Sequence, residues 1–210
     1  MEFRFPPIYP ITDKRLSGKC THLAILKELV RGGATLVQIR DKGETPVREL
    51  LDDLRRCVEF ARERGVILVV DDRCDLMLSC GADGVHLGTE DLPAAAARRL
   101  LGHRRIIGLS THNISQVRRS RRVAVDYIGF GPIHTTATKD SHWPATGIEN
   151  LRRACALAGR PVVAIGGIGP GCIRDVLLAG AASAAVISSV MAGGRIARRM
   201  EALLREATAK

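Results

Sequence analysis

Asp72 and Asp91 carry the most telling chemistry in this chain. The apolar run Val66-Ile67-Leu68-Val69-Val70 ends at Asp71-Asp72, and Gly84-Val85-His86-Leu87-Gly88 leads into Glu90-Asp91. Between them, Cys74 to Cys80 reads as a short amphipathic helix and Gly81 to Gly84 as a turn. Strand, helix and strand make a parallel crossover unit, so both acidic tips emerge at the same edge of one sheet. Neighbouring strands lie about 4.8 Å apart, close enough for Asp72 and Asp91 to grip one hard cation. Oxygen ligands without a histidine–cysteine cluster make magnesium the expected ion. Helix capping competes with this reading. Aspartate at a strand–helix junction is a good N-cap, and Asp91-Leu92-Pro93 looks like a cap before a proline at the first turn.

Cations flank these acids. Gln38-Ile39-Arg40-Asp41-Lys42 closes another apolar run, and Lys139 lies on a long connection that also carries Thr136 and Thr138. Arginine offers phosphate a planar fork and lysine a mobile point charge, so Arg40, Lys42 and Lys139 facing magnesium would clamp a diphosphate. Ordinary surface charge is the plainer account of Lys42. Ser110 adds a hydroxyl at the tip Ser110-Thr111-His112. A second anionic station is expected where Gly166-Gly167 and Ile187-Ser188-Ser189 end their strands, with a helix start after each. A turn that merely needs positive φ is the competing account of the glycines.

The elements that must position these groups repeat from end to end. Strands are expected at Ile8–Thr12, Thr35–Arg40, Val66–Asp71, Gly84–Leu87, Arg105–Ser110, Tyr127–Gly131, Pro161–Ile165 and Ala184–Ser188. Helical patterns fall at Thr21–Arg31, Pro46–Arg64, Asp75–Cys80, Pro93–Leu101, Ile114–Arg122, Ile148–Ala158, Gly171–Ala179 and Val190–Ala207. Eight units in 210 residues leave about 26 each, which suits one α/β domain spanning 1–210, a (β/α)8 TIM barrel. A doubly wound open sheet is the alternative, disfavoured because no GxGxxG opens the first crossover. In a barrel, functional groups belong on the loops after the strands, and every residue named above lies there.

Composition narrows the class. At 46% apolar residues the chain can fill a sizeable core, and no apolar run reaches membrane-spanning length. Met1-Glu2-Phe3-Arg4 does not open a signal-peptide pattern, and the six cysteines form no CxxC pair, so the cytoplasm is the expected compartment. The net charge of +10 comes from clusters such as Arg118-Arg119 and Arg121-Arg122, read as solvated helix faces. Only seven aromatic residues are present, no stacking platform stands out, and no nucleic-acid partner is expected.

Over nearly its full length the chain resembles the thiamine-phosphate synthase family. The matching motifs are Tyr9-Pro10-Ile11-Thr12-Asp13, Val37-Gln38-Ile39-Arg40-Asp41-Lys42, Asp72 with Gly84 through Pro93, Gly108-Leu109-Ser110-Thr111-His112, Asp126 through Ile133, Thr136-Ala137-Thr138-Lys139 and Ala164 through Ile168. The resemblance implies that a hydroxymethylpyrimidine diphosphate loses pyrophosphate to the ring nitrogen of a thiazole phosphate, through a dissociative step. It implies diphosphate against Gln38, Arg40, Lys42, Ser110 and Lys139, magnesium on Asp72 and Asp91, and thiazole phosphate against Thr136, Thr138, Gly167, Ile187 and Ser188. Two departures stand out. Asp71 occupies a position where the family usually has a pyrimidine-binding asparagine, and His134-Thr135 replaces the commoner Phe-Pro. The partners expected are these two small molecules, and a homo-oligomer is compatible with the reading.

Two rivals use the same barrel. The thiazole tautomerase sister family would need a phosphate station and a histidine, with His112 the candidate, but not the whole diphosphate set. A non-catalytic phosphate-binding barrel is the third reading. His86, within a strand, is expected to be a satisfied core or rim histidine.

Overall fold

The computed structural model describes residues 4–43, 45–136 and 143–209. Its eight strands are β1 (Ile8–Pro10), β2 (Leu36–Ile39), β3 (Ile67–Asp71), β4 (Gly84–Leu87), β5 (Ile106–Thr111), β6 (Tyr127–Phe130), β7 (Val162–Ile165) and β8 (Ser183–Val186). They form one parallel sheet in the order β1-β8-β7-β6-β5-β4-β3-β2. Its two ends meet at an Ile11–Gln38 bridge, where the Thr12 amide donates to the Gln38 carbonyl at 2.9 Å. That closure makes the sheet the expected (β/α)8 barrel rather than an open doubly wound sheet.

The strands form because short β-branched runs are buried on both faces, inside the barrel and under helices. The helices are α1 (Lys14–Ser17), α2 (His22–Arg31), α3 (Val47–Glu63), α4 (Cys74–Cys80), α5 (Ala94–Leu101), α6 (Ile114–Ser120), α7 (Gly147–Ala158), α8 (Ile173–Leu178), α9 (Ser188–Met191) and α10 (Ile196–Thr208). In α3, Leu50, Leu54, Cys57, Val58 and Ala61 are buried at helical spacing while the charged residues face outward, except Asp53, which is buried and accepts from His22 N at 2.6 Å. No helix among the described residues is long and apolar enough to cross a membrane.

Three expectations need correction. The last helix is two helices, because Gly193 and Gly194 take φ of 74° and 69° and end α9 before α10 begins. Strand β8 stops at Val186, so Ser188 opens α9 instead of ending a strand. After β7 the helix starts at Ile173, two residues beyond the expected Gly171. An additional turn of helix, α1, was hidden in a short polar stretch. Asp13 caps it by accepting from Leu16 N at 2.9 Å, and Gly18 ends it at φ 64°.

At the opposite end from the acidic tips, Arg98 on α5 is buried and fully engaged. Its guanidinium donates to the carbonyls of Ala124, Gly102 and Arg105 at 3.0, 2.8 and 2.7 Å, and to Asp126 Oδ2 at 2.6 Å. Asp126 also accepts from Ile107 N at 2.7 Å, so this one arginine ties α5 to the starts of β5 and β6.

Inside the barrel the register sets which side chains share a level. Asp71 lies beside His86, His86 beside Gly108, and Gly108 beside Tyr127. Since alternate residues face inward, one polar line crosses four strands.

Candidate active site

The β2 tip is held by a buried polar chain. Thr12 Oγ1 accepts from Arg40 N at 3.0 Å and lies 2.9 Å from His22 Nδ1; His22 Nε2 lies 3.3 Å from Asp41 Oδ2. Asp41 also takes Lys14 at 3.0 Å and the Thr45 hydroxyl at 2.5 Å. Burial opposes its charge, but His22, Thr45 and Lys14 outweigh that and hold Asp41 well below the usual carboxylate range. With the loop fixed from both sides, Arg40 stays at the barrel mouth. Its Nη1 lies 3.4 Å from Asp13 Oδ2 and its Nε 3.9 Å from Asp71 Oδ2.

Lys42 reaches across to β3. Its ammonium sits 3.0 Å from Asp71 Oδ2 and hydrogen-bonds Asp72 Oδ2. Partial burial works against its charge, yet Asp71 and Asp72 prevail and hold Lys42 protonated above the ordinary lysine range. Asp72 occupies the left-handed region at φ 62°, one of the few conformations where a non-glycine residue is usually aspartate or asparagine. Beside it, burial and the neighbouring Asp72 carboxylate both push Asp91 up from the usual range. The two carboxylates are therefore near neighbours at one edge of the sheet.

The capping alternative does not hold. Neither α4 nor α5 has a side-chain cap; their N-cap positions are Arg73 and Pro93. Asp91 instead accepts from Gly88 N at 2.6 Å, which folds its own loop back on β4 and leaves the second carboxylate oxygen for other partners.

Among the described residues, two buried atoms at this mouth lack a hydrogen-bond partner, Gln38 Oε1 and Arg40 Nε. Buried polar groups are normally satisfied, so their concentration at one place fits a site completed by a ligand. Ser110 joins from β5, with its Oγ 2.9 Å from His86 Nε2. Next to it a cleft of about 370 Å³ runs between the β4 and β5 tips, lined by Asp91, Ser110, Gln116 and Arg119 among others. Arg119 lines this cleft as well as belonging to the basic face of α6.

The second station also assembles. Thr136, Gly166, Gly167, Ile187 and Ser188 line one small pocket over the ends of β7 and β8. Gly166 and Gly167 have φ of 101° and 64°, and a Cβ on either would strike the 132–135 backbone or side chains, at 2.5 Å for Pro132 and 2.7 Å for His134. The fold therefore requires both glycines whatever binds there. His112 is tied to Gly131 O at 2.8 Å and stacks on Trp143, with ring centroids 4.9 Å apart. Thr138 and Lys139 lie outside the described residues.

Reading the residues missed Tyr9 and Tyr127. They are the chain's only two tyrosines, each within a strand, and that rarity was the available signal. Both are buried, and His86 links them to Ser110.

Comparison with known proteins shows the family. The family described as thiamine monophosphate synthase matches residues 8–190. The thiamine-phosphate synthase of Chloroflexus aurantiacus is 39% identical over 200 residues, covering 94% of this chain and 92% of that protein. A thiamine-phosphate synthase of Synechococcus sp. (strain CC9605) is 45% identical over 162 residues, covering 77% of this chain but 46% of that longer protein. Among solved structures, thiamine phosphate pyrophosphorylase from Pyrococcus furiosus superposes with a TM-score of 0.85 at 33% identity, covering 96% of each chain. With the family model matching residues 8–190 and the fold in agreement, the chain belongs to the thiamine-phosphate synthase family.

Proposed function

We propose that this barrel joins hydroxymethylpyrimidine diphosphate to a thiazole phosphate, giving thiamine phosphate and pyrophosphate, with the diphosphate at the β2–β5 mouth and the thiazole phosphate over β7 and β8. The observation that carries the reading is the convergence of Gln38, Arg40, Lys42, Asp71, Asp72, Asp91 and Ser110 on one rim, with Gln38 Oε1 and Arg40 Nε buried there and without a partner among the described residues. A tautomerase would have no use for that set.

The donor set fits magnesium. Asp72 and Asp91 present hard carboxylate oxygens to one another, and their mutual repulsion is the condition a divalent cation relieves. Held there, magnesium would supply Lewis acidity and a template for the departing diphosphate. Arg40 and Lys42 add fixed positive charge where negative charge grows as the C–O bond breaks, and Lys139 is assigned the same role. Ser110 and Gln38 orient the pyrimidine diphosphate, with Asp71 against the pyrimidine. Thr136, Thr138, Gly167, Ile187 and Ser188 hold the thiazole phosphate so that its ring nitrogen is in line with the carbon losing pyrophosphate. No protein nucleophile is needed. Its cysteines are all free, which suits a reducing cytoplasm.

The test is pyrophosphate release. The protein with magnesium and both substrates should release pyrophosphate, and omission of either substrate or chelation of the metal should stop it. Tautomer conversion without release would overturn the reading in favour of an isomerase, and tight binding without turnover would favour a binding barrel.

A further inference from the structure

Five side chains from five strands form one continuous hydrogen-bonded line through the barrel interior. Gln38 Nε2 donates to the Tyr9 hydroxyl at 3.3 Å, and that hydroxyl lies 3.2 Å from the hydroxyl of Tyr127. The Tyr127 hydroxyl is 2.9 Å from His86 Nδ1, and His86 Nε2 is 2.9 Å from Ser110 Oγ. Gln38, Tyr9, Tyr127 and His86 are all buried.

Two strand glycines make room for this line. A Cβ on Gly108 would fall on the Tyr127 ring and hydroxyl and within 2.5 Å of His86 Nδ1, and one on Gly129 would come within 3.2 Å of His86 Cε1. Glycine inside a strand weakens it and marks a close approach, here that of the His86–Tyr127 pair.

Hydrogen counting gives the line a direction. Each hydroxyl carries one hydrogen and a neutral imidazole carries one. Because Gln38 donates to Tyr9, the Tyr9 hydrogen passes to Tyr127 and the Tyr127 hydrogen to His86 Nδ1. His86 then keeps its proton on Nε2 and donates to Ser110, which leaves the Ser110 hydrogen for an acceptor at the rim. Burial pushes both phenols well above their ordinary range, so neither loses the hydrogen it must donate. The reverse order needs the Gln38 amide to turn its oxygen to Tyr9. It would spend the Ser110 hydrogen on His86 and present an anion with an acceptor.

We propose that Tyr9, Tyr127 and His86 are positioning residues that fix His86 as its Nε2–H tautomer and thereby make Ser110 a hydrogen-bond donor to the diphosphate. The inference rests on the synthase reading, in which Ser110 meets that group.

Long-range proton–nitrogen correlation on protein labelled with 15N-histidine reads the tautomer directly, with the His86 signal identified by its loss in His86→Gln. The substrate-free protein should show Nε2–H. Tyr127→Phe removes one hydroxyl and keeps the ring; it should give mixed tautomers and raise KM for the pyrimidine diphosphate about three- to tenfold, the cost of one hydrogen bond. KM for the thiazole phosphate should stay within about twofold, since that station takes no part in the line. An Nδ1–H pattern in the unsubstituted protein, or a Tyr127→Phe protein with Nε2–H and both KM values intact, would overturn the relay. A confirmed Nε2–H signal with Ser110→Ala leaving the diphosphate KM unchanged would instead overturn the placement of diphosphate at Ser110, so the two failures are distinguishable.

Discussion

Asp71 Oδ2 lies 3.0 Å from the ammonium of Lys42, and the two residues neutralise each other at the barrel mouth. A lysine held this way is not free to meet a diphosphate until the pairing is broken. Asp71→Asn keeps an acceptor of the same size and removes the competing charge. It should lower KM for the pyrimidine diphosphate about three- to tenfold, the weight of one half-exposed ion pair of about 1 kcal/mol. Initial rates against diphosphate concentration decide the matter; an unchanged or higher KM would show that Asp71 assists binding.

Asp91 carries a linked expectation about stability. Its pKa is raised in the folded protein by burial and by Asp72. Such a group favours the folded state below its unfolded pKa, and that contribution is lost as pH rises through the folded value. At neutral pH the ionised Asp91 is therefore a cost in the metal-free protein. Asp91→Asn should raise the metal-free melting temperature by about 1–3 °C at pH 7, with the gain fading below the carboxylate range. The same variant should nearly abolish pyrophosphate release. Calorimetry across pH checks the first outcome; a lower melting temperature at pH 7 would refute it.

Magnesium should act on the same pair in the opposite sense. Adding it to the unsubstituted protein should raise the melting temperature and do so far less for Asp72→Ala or Asp91→Ala. Equal shifts in all three proteins would place the ion elsewhere.

Gly108→Ala tests how tightly the barrel interior is packed. The added methyl would collide with Tyr127 and His86, so stability should fall by about 1–3 kcal/mol in urea unfolding, with poorer turnover alongside. A neutral effect would mean that the two rings can part at no cost.

Arg98 is the structural counterpart at the far end. Arg98→Met fits the stem of the side chain but leaves three carbonyls and Asp126 without their donor. Asp126 is about half-exposed and keeps its bond from Ile107 N, so the loss falls mainly on the carbonyls; it costs about 1–3 kcal/mol, and the denaturation midpoint should drop accordingly. Catalytic constants of the surviving folded enzyme should change little, because Arg98 is at the opposite end from the rim.

Much of this molecule is legible in its sequence. Alternating β-branched runs and helical stretches marked all eight strands, since each pattern is local and recurs at the period of its element. Errors fell where local rules compete. α1 is too short to show a periodicity, and the break between α9 and α10 depends on two glycines that a helix could have tolerated individually. At Asp91 capping competed with the metal reading because Leu92-Pro93 follows it, and its carboxylate turns back to Gly88, a choice made by loop geometry.

By itself, the sequence determined the barrel and the rim: parallel crossovers bring every strand end to one face, so residues after strands collect there without any knowledge of contacts. Only the tertiary structure decided which of them touch. Tyr9 and Tyr127 stand 118 positions apart and meet across the interior; Lys42 settles between Asp71 and Asp72. Hydrogen bonds and buried charge pairs depend on separations of a few tenths of an ångström, set by register and barrel closure, and no pattern along the chain encodes distances that fine.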